Sequence, residues 1–249
     1  VLENAGSNGA SLVLGFMLTA ALISMWVMNT ATTIMLLPIG LAVITVVKET
    51  VKGLTEKETE NFQLSLLLGI AYGATIGGMS TLIGTGPNGM FAAFMADNYD
   101  LDISFVDWMK VGVPLSAIML PASWYVLTRI IYPVRFKTSK ETTALLSSMK
   151  DELGEFQGPE VKVFLVFVFT ALFWMLRTIL DDLPGLGGLS DAGIAMISAL
   201  VLFLLPSGDK ERTGPLLEWE DAQKNVPWGL LVLFGGGLSL ANAVQSTGL

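Results

Sequence analysis

Met28-Asn29-Thr30-Ala31-Thr32-Thr33 sits in the middle of an apolar run, residues 10–47, that contains no charged residue. That run is 38 residues long, about twice the ~20 needed to cross a bilayer once. Asn29 to Thr33 are all polar or small, and such a cluster is costly at bilayer depth unless it turns the chain or lines a site. Two apolar helices meeting at an Asn-Thr-Ala-Thr-Thr tip satisfy both conditions. The stretch therefore reads as a re-entrant helical hairpin carrying a binding site, an arrangement that points to a transporter.

Composition places the rest of the chain in the same class. Of its 249 residues 52% are hydrophobic and 14% charged, against the ~25% charged that is typical of soluble domains. Mean hydropathy is +0.63, and several uncharged segments approach the length of a membrane span. The fold class expected is an all-α polytopic membrane protein, located in the cell membrane with the lipid bilayer as its solvent. The sequence has no Cys and no His, which excludes disulfides, thiol chemistry, the usual zinc or haem ligation and an imidazole proton relay. The formal net charge of −8 says little, because what orients a membrane protein is the placement of Lys and Arg; no nucleic-acid partner is expected. The chain opens on Val1 and shows no signal-peptide pattern, so it reads as a fragment of a longer protein.

After the hairpin, a short connector from Lys48 to Asn61 carries charges of both signs. Residues 62–95 form the next apolar segment, interrupted by Gly77-Gly78-Met79-Ser80-Thr81 and by Gly84-Thr85-Gly86-Pro87-Asn88. Glycines weaken a helix, and Pro87 removes a backbone donor while biasing Gly86 away from helix. A broken transmembrane helix with an unwound middle is expected there. The polar turn Asp97–Asp100 and a short amphipathic piece, Ile103–Lys110, lead to a transmembrane helix over 111–132. Residues 133–162 read as a cytoplasmic linker, and 163–205 as two transmembrane helices separated by a turn from Asp181-Asp182 to Gly188. Residues 209–227 form a surface segment, with Trp219 and Trp228 as interfacial anchors, and 228–249 begin another span.

Orientation follows from the placement of basic residues. With the hairpin re-entrant, all but Lys110 and Arg177 of the 14 Lys and Arg residues fall on one side. That is a strong positive-inside asymmetry.

No enzyme constellation survives inspection. Gly235-Gly236-Gly237 lacks the strand context of a dinucleotide loop, and no Lys follows Gly84–Asn88 to make a phosphate loop. The two interrupted elements are different in kind. Secondary transporters place substrates and coupling ions where discontinuous helices meet, with helix N-termini toward anions and freed carbonyls toward Na⁺. Asn, Ser, Thr and glycine carbonyls offer a hard cation its oxygen ligands without a buried carboxylate. Ser24 lies five residues before Asn29, near enough for both to bracket one site. The competing reading is that Ser24, Thr30 and Thr32 only pack one helix on another.

Leu22-Ile23-Ser24-Met25-Trp26-Val27-Met28-Asn29-Thr30-Ala31-Thr32-Thr33, followed by Leu37-Pro38, resembles the Ser-Asn-Thr hairpin of the divalent anion:sodium symporters. Ile70–Gly78 and Gly84–Asn88 are similar to that family's broken helix. Pro227-Trp228, Phe234–Leu238 and Thr247-Gly248-Leu249 resemble the opening of its second inverted repeat. The resemblance implies an inverted-repeat secondary transporter of elevator type, active as a homodimer, importing a small dianion of the succinate, citrate or sulfate class with Na⁺ as coupling ion. It also implies a chain that lacks the N-terminal helices and the second half of the site. Carried over residue by residue, Ser24, Asn29 and the Gly84 carbonyl would bind sodium, with Met28 contributing its carbonyl. Asn29, Thr30, Thr85, Pro87 and Asn88 would meet the substrate. Met28 stands where the motif has Ser, which leaves open a sodium-independent anion exchanger of the same fold. A channel or structural membrane protein with mere packing kinks is the reading from another class.

Overall fold

The structure, a computed structural model, describes residues 8–138, 144, 157–180, 188–208 and 214–247. Every regular element among the described residues is helical, apart from an isolated bridge between Pro206 and Pro215. The chain divides into two compact units, residues 1–155 and 156–249.

The first unit is built on α1 (Gly9–Ser24), capped by Asn8, whose side-chain oxygen accepts the Ser11 N–H at 2.7 Å. Leu12, Val13, Phe16, Met17 and Ala20 of α1 are buried. They form one core with Leu36, Val43 and Val47 of α2 (Asn29–Thr50) and with Phe62, Leu66, Ile70 and Ala74 of α3 (Glu56–Gly78). Glycine spacing brings α1 and α3 together. Gly69, Gly73 and Gly77 recur every fourth residue on α3, so they share one face. A Cβ at Gly73 would lie 2.6 Å from the Met17 carbonyl oxygen, and one at Gly77 would run into the Ala21 backbone. Small residues at such spacing let two membrane helices approach backbone to backbone.

Past the α3 end, residues 79–85 are unwound before α4 (Gly86–Tyr99) begins. α4 ends on Asp100 in the left-handed region, φ 54°. α5 (Phe105–Tyr125), capped by Ser104, contains Pro114 and Pro121 and runs into a π-helical turn at Val126–Ile131. The end of α5 and the chain beyond it fasten the start of α1 and the neighbouring part of α3. Gly9 N–H donates to Phe136 O at 3.1 Å, Ser65 Oγ to Tyr132 O at 3.1 Å, and Trp124 Nε1 to Ala10 O at 2.8 Å. One end of α1 is thus anchored while the other carries the interruption.

In the second unit, α6 (Gly158–Leu180) and α7 (Asp191–Leu204) pair along their lengths. Lys162 Nζ donates to Pro206 O at 2.8 Å, Thr170 Oγ1 to Ser198 Oγ at 2.7 Å, and Arg177 meets Asp191 at 3.5 Å. Those pairings run in opposite chain directions, so the two helices are antiparallel. A short helix, α8 (Trp219–Asn225), precedes α9 (Trp228–Thr247), and Trp219 and Trp228 are both exposed.

Among the described residues, three elements are long and apolar enough to cross a membrane: α2, α5 with its π-helical turn (27 residues), and Gly158–Arg177 of α6. Their outer faces carry apolar side chains such as Ile34, Val111, Ile118 and Phe164, all exposed. Several boundaries differ from those expected. The piece at 103–110 and the span at 111–132 are one helix from Phe105, because Ser104 caps it and nothing between interrupts it. Helix α6 starts at Gly158, inside the expected linker 133–162. The expected turn at Asp97–Asp100 is still helical through Tyr99. Most of that linker, the Asp181-Asp182 turn and Gly248-Leu249 lie outside the described residues.

Candidate functional site

Met25–Met28 separate α1 from α2. The polar cluster Asn29–Thr33 is not the turn itself but the first turn of α2, and Met25–Met28 form the link. Ser24, the last residue of α1, is fully buried, and its hydroxyl donates to Asn29 Oδ1 at 2.7 Å and to Val27 O at 3.3 Å. The buried Thr32 hydroxyl also points to Val27 O, at 3.5 Å. Met28 is extended (φ −53°, ψ 141°), and its carbonyl accepts the Thr32 N–H at 3.0 Å.

The unwound segment after α3 folds back against this tip. Asn29 Oδ1 occupies the space a Cβ of Gly78 would need, and Thr85 Cγ2 lies 2.8 Å from the same point. A Cβ on Gly84 would in turn meet the Gly78 backbone, 2.8 Å from its Cα. Only glycine at both positions allows this approach. Thr81, fully buried, ties the two interruptions directly: its hydroxyl donates to Met25 O and accepts the Gly84 N–H at 3.1 Å. Asn88 closes the loop from the other side, with Nδ2 donating to Gly78 O at 3.0 Å and to Thr81 O at 2.8 Å.

Four helix ends therefore converge around Gly78. The ends of α1 and α3 bring the partial negative charge of helix C-termini, and the starts of α2 and α4 bring partial positive charge. The other helix starts in this unit, those of α1, α3 and α5, are capped by side chains from Asn8, Thr55 and Ser104. Neither Met28 nor Thr85 makes a side-chain cap bond at the start of α2 or α4. N–H donors of a helix start are suited to an anion, and α2 offers them in its first turn before Thr32. At α4, Pro87 has no N–H and the Asn88 N–H donates to Thr85 O at 3.2 Å, so only the Gly86 N–H remains of the first three. Oxygens at the helix ends suit a hard cation, and rotating the Ser24 hydroxyl proton onto Val27 O, 3.3 Å away, would leave both Ser24 Oγ and Asn29 Oδ1 able to accept. Among the described residues no cluster of three His, Cys, Asp or Glu could hold a metal. Any ion binding here would rely on neutral oxygens.

Of the residues singled out in the sequence, Ser24, Asn29, Gly84 and Thr85 meet at this point, and Asn88 braces the loop that forms it. Met28 borders it with its carbonyl already engaged in the first turn of α2. Thr30 and Pro87 are exposed. Gly78 and Thr81 were visible in the sequence only as part of a glycine-rich break. Trp108 and Ser116 of α5, which donate to Met79 O and Ile76 O, carried no sequence signal at all.

Comparison with known proteins gives a consistent picture. The profile described as "Sodium:sulfate symporter transmembrane region" matches residues 1–249. A protein of Staphylococcus saprophyticus named "Sodium-dependent dicarboxylate transporter SdcS" is 35% identical over 251 aligned residues, which cover all of this chain and 48% of that protein. Its Staphylococcus aureus namesake is 34% identical over the same span and share. The chain thus spans about half the length of the curated relatives it matches.

Proposed function

The chain belongs to the sodium:sulfate symporter family, and from that premise we propose that it supplies half of a secondary transporter that imports a dicarboxylate-type dianion coupled to Na⁺. One observation carries the reading: two helix ends and two helix starts without side-chain caps meet around Gly78, with Ser24 and Asn29 hydrogen-bonded at 2.7 Å. Sodium belongs at the oxygen-rich side, held by Ser24, Asn29 and the Gly84 carbonyl, with the Met28 carbonyl at the rim. A substrate carboxylate belongs at the helix starts, near Asn29, Thr30, Thr85, Pro87 and Asn88. The relatives' names, which specify sodium and dicarboxylate, support this assignment.

Within the same proposal, α1 and α2 form a re-entrant hairpin. At 16 residues, α1 rises about 24 Å, short of the ~30 Å hydrocarbon core. The hairpin and the broken helix move together as an elevator on a homodimeric scaffold, and 228–249 open the second inverted repeat. The Thr81–Met25 and Asn29–Gly78 contacts support their moving as one piece.

Uptake of labelled succinate, citrate and sulfate by the full-length protein in proteoliposomes, with and without Na⁺, tests the reading. Saturable uptake of a dicarboxylate that rises with external Na⁺ is expected. Exchange indifferent to Na⁺ would favour the sodium-independent antiporter, to which Met28 in place of a hydroxyl residue lends support. Flux without saturation would favour a channel.

A further inference from the structure

Helix α5 meets the broken helix with Trp108, Gly112 and Ser116, spaced four apart and therefore on one face. Gly112 lets the backbones close up: a Cβ there would lie 2.6 Å from Met79 O and 2.8 Å from Ser80 O. At that distance the flanking side chains reach backbone oxygens. The buried Ser116 hydroxyl donates to Ile76 O at 2.8 Å, and Trp108 Nε1 donates to Met79 O at 3.0 Å.

The carbonyls at a helix end have no next turn to donate to them, so each needs another source. Gly77 O takes the Ser80 N–H at 2.9 Å, while Gly78 O and Thr81 O share the Asn88 amide. Those donors come from the first turn of α4 and from the loop itself. The Ile76 and Met79 oxygens are held from outside it, by α5, on either side of Gly77-Gly78. Gly78 is the residue against which Asn29 Oδ1 and Gly84 both rest. Whatever fixes residues 76–79 therefore fixes the spacing of the Asn29 and Gly84 oxygens.

We infer that Trp108 and Ser116 are positioning residues for the coupling-ion site, setting its oxygen spacing through the Ile76 and Met79 carbonyls without touching the ion. The inference rests on the proposed sodium site. Losing either donor takes from a helix-end carbonyl, the buried Ile76 O or the half-buried Met79 O, the hydrogen bond that α5 supplies. The loop is then free to relax, which weakens ion binding more than substrate binding at saturating Na⁺.

The test is the Na⁺ activation curve for uptake by the full-length protein in matched proteoliposomes. Ser116→Ala and Trp108→Phe are each expected to raise the Na⁺ concentration for half-maximal uptake roughly fivefold. Maximal rate at saturating Na⁺, and the substrate KM measured there, should stay within about twofold of wild type. Ser116→Thr, which keeps the hydroxyl, should restore the wild-type curve. Trp108→Phe keeps an aromatic ring against Phe91 (centroids 6.1 Å apart) and removes only the N–H, so it remains informative if Ser116→Ala fails to assemble. Unmoved curves in a Na⁺-dependent wild type would overturn the positioning role alone. So would a fall in maximal rate with no Na⁺ shift, or no restoration by Ser116→Thr. A wild type indifferent to Na⁺ would remove the underlying sodium reading as well.

Discussion

Asn29 stands at the first position of α2, yet its side chain faces backward to the end of α1 and sideways to α3. Its Oδ1 accepts the Ser24 hydroxyl and fills the space beside the Gly78 Cα. No other carboxamide of this tip touches two helix ends, so Asn29→Ala in the full-length protein should abolish uptake while leaving expression and membrane insertion intact. Uptake at the wild-type rate would refute the site. Gly78→Ala probes the same contact from the other partner. The new methyl would collide with Asn29 Oδ1 and sit 2.8 Å from Thr85 Cγ2. Overpacking of that kind costs about 1–3 kcal/mol, and it falls on the site oxygens, so uptake should drop at least tenfold with the helices retained. Gly89→Ala is the matched control, because nothing lies within 4 Å of its added Cβ. In a helix interior it should be neutral or stabilising by up to ~1 kcal/mol. Equal damage from both substitutions would show that the Gly78 contact is not what matters.

Each helix of the first unit has a separate reason to begin and end where it does. Helix α3 starts on a capping box: Thr55 N–H donates to Glu58 Oε2 at 3.0 Å, its hydroxyl adds a second bond at 2.8 Å, and Glu58 N–H returns to the hydroxyl at 3.2 Å. The Thr55 backbone N–H first, then its hydroxyl, hold the Glu58 carboxyl below the usual carboxylate range. A lowered folded pKa means that the cap's contribution is complete above the unfolded carboxylate pKa and is lost as pH falls through the folded one. Amide protection in the first turn of α3 should therefore decline as the medium is acidified past that range, and Glu58→Gln should flatten the decline. Further along, Gly73 and Gly77 exist for the crossing with α1, since their added Cβ atoms would meet Met17 and Ala21 backbone that cannot swing aside. Gly77→Ala should lower the thermal unfolding midpoint of the detergent-solubilised protein, whereas Gly89→Ala should not. The break between α1 and α2 was legible because a 38-residue uncharged run is too long for one crossing. Its location was off by about one helical turn, since Asn and Thr are well accommodated in a first turn and the apolar Met25–Met28 could link the helices through backbone geometry alone. Thr81, Trp108 and Ser116 were illegible for a simpler reason. Their partners are backbone carbonyls of Met25, Met79 and Ile76, and a carbonyl is present at every residue, so no residue type announces the pairing.

For the whole molecule, the sequence speaks through charge and the structure through length, and the two can be set against each other. Only Lys110 and Arg177 depart from the side assigned to the other basic residues. In the second unit Arg177 is paired with Asp191 at 3.5 Å, both side chains less than one-fifth exposed, so its charge is largely balanced where it stands. Lys110 is exposed beside Asp107, 2.7 Å away. Both exceptions sit next to a carboxylate, but the asymmetry is a matter of Lys and Arg placement rather than net charge, so the two count against it in full and are outnumbered by the other twelve. Independently, Phe105–Ile131 is 27 residues of continuous helix, a length of about 40 Å that exceeds the ~30 Å hydrocarbon core. If it crosses that core, the residues just before and just after it emerge on opposite faces. The absence of Cys makes this easy to examine by labelling within these residues. In the full-length protein in intact cells, a cysteine at position 100 should react with an impermeant maleimide added outside. Cysteines at positions 140 and 212 should react only after the membrane is opened, because Lys140 and Arg212 belong to the basic majority. Labelling of positions 100 and 140 from the same face would mean that α5 does not cross. The hairpin and broken helix would then have to be drawn on a different topology, since the side on which α4 ends is fixed by where α5 begins.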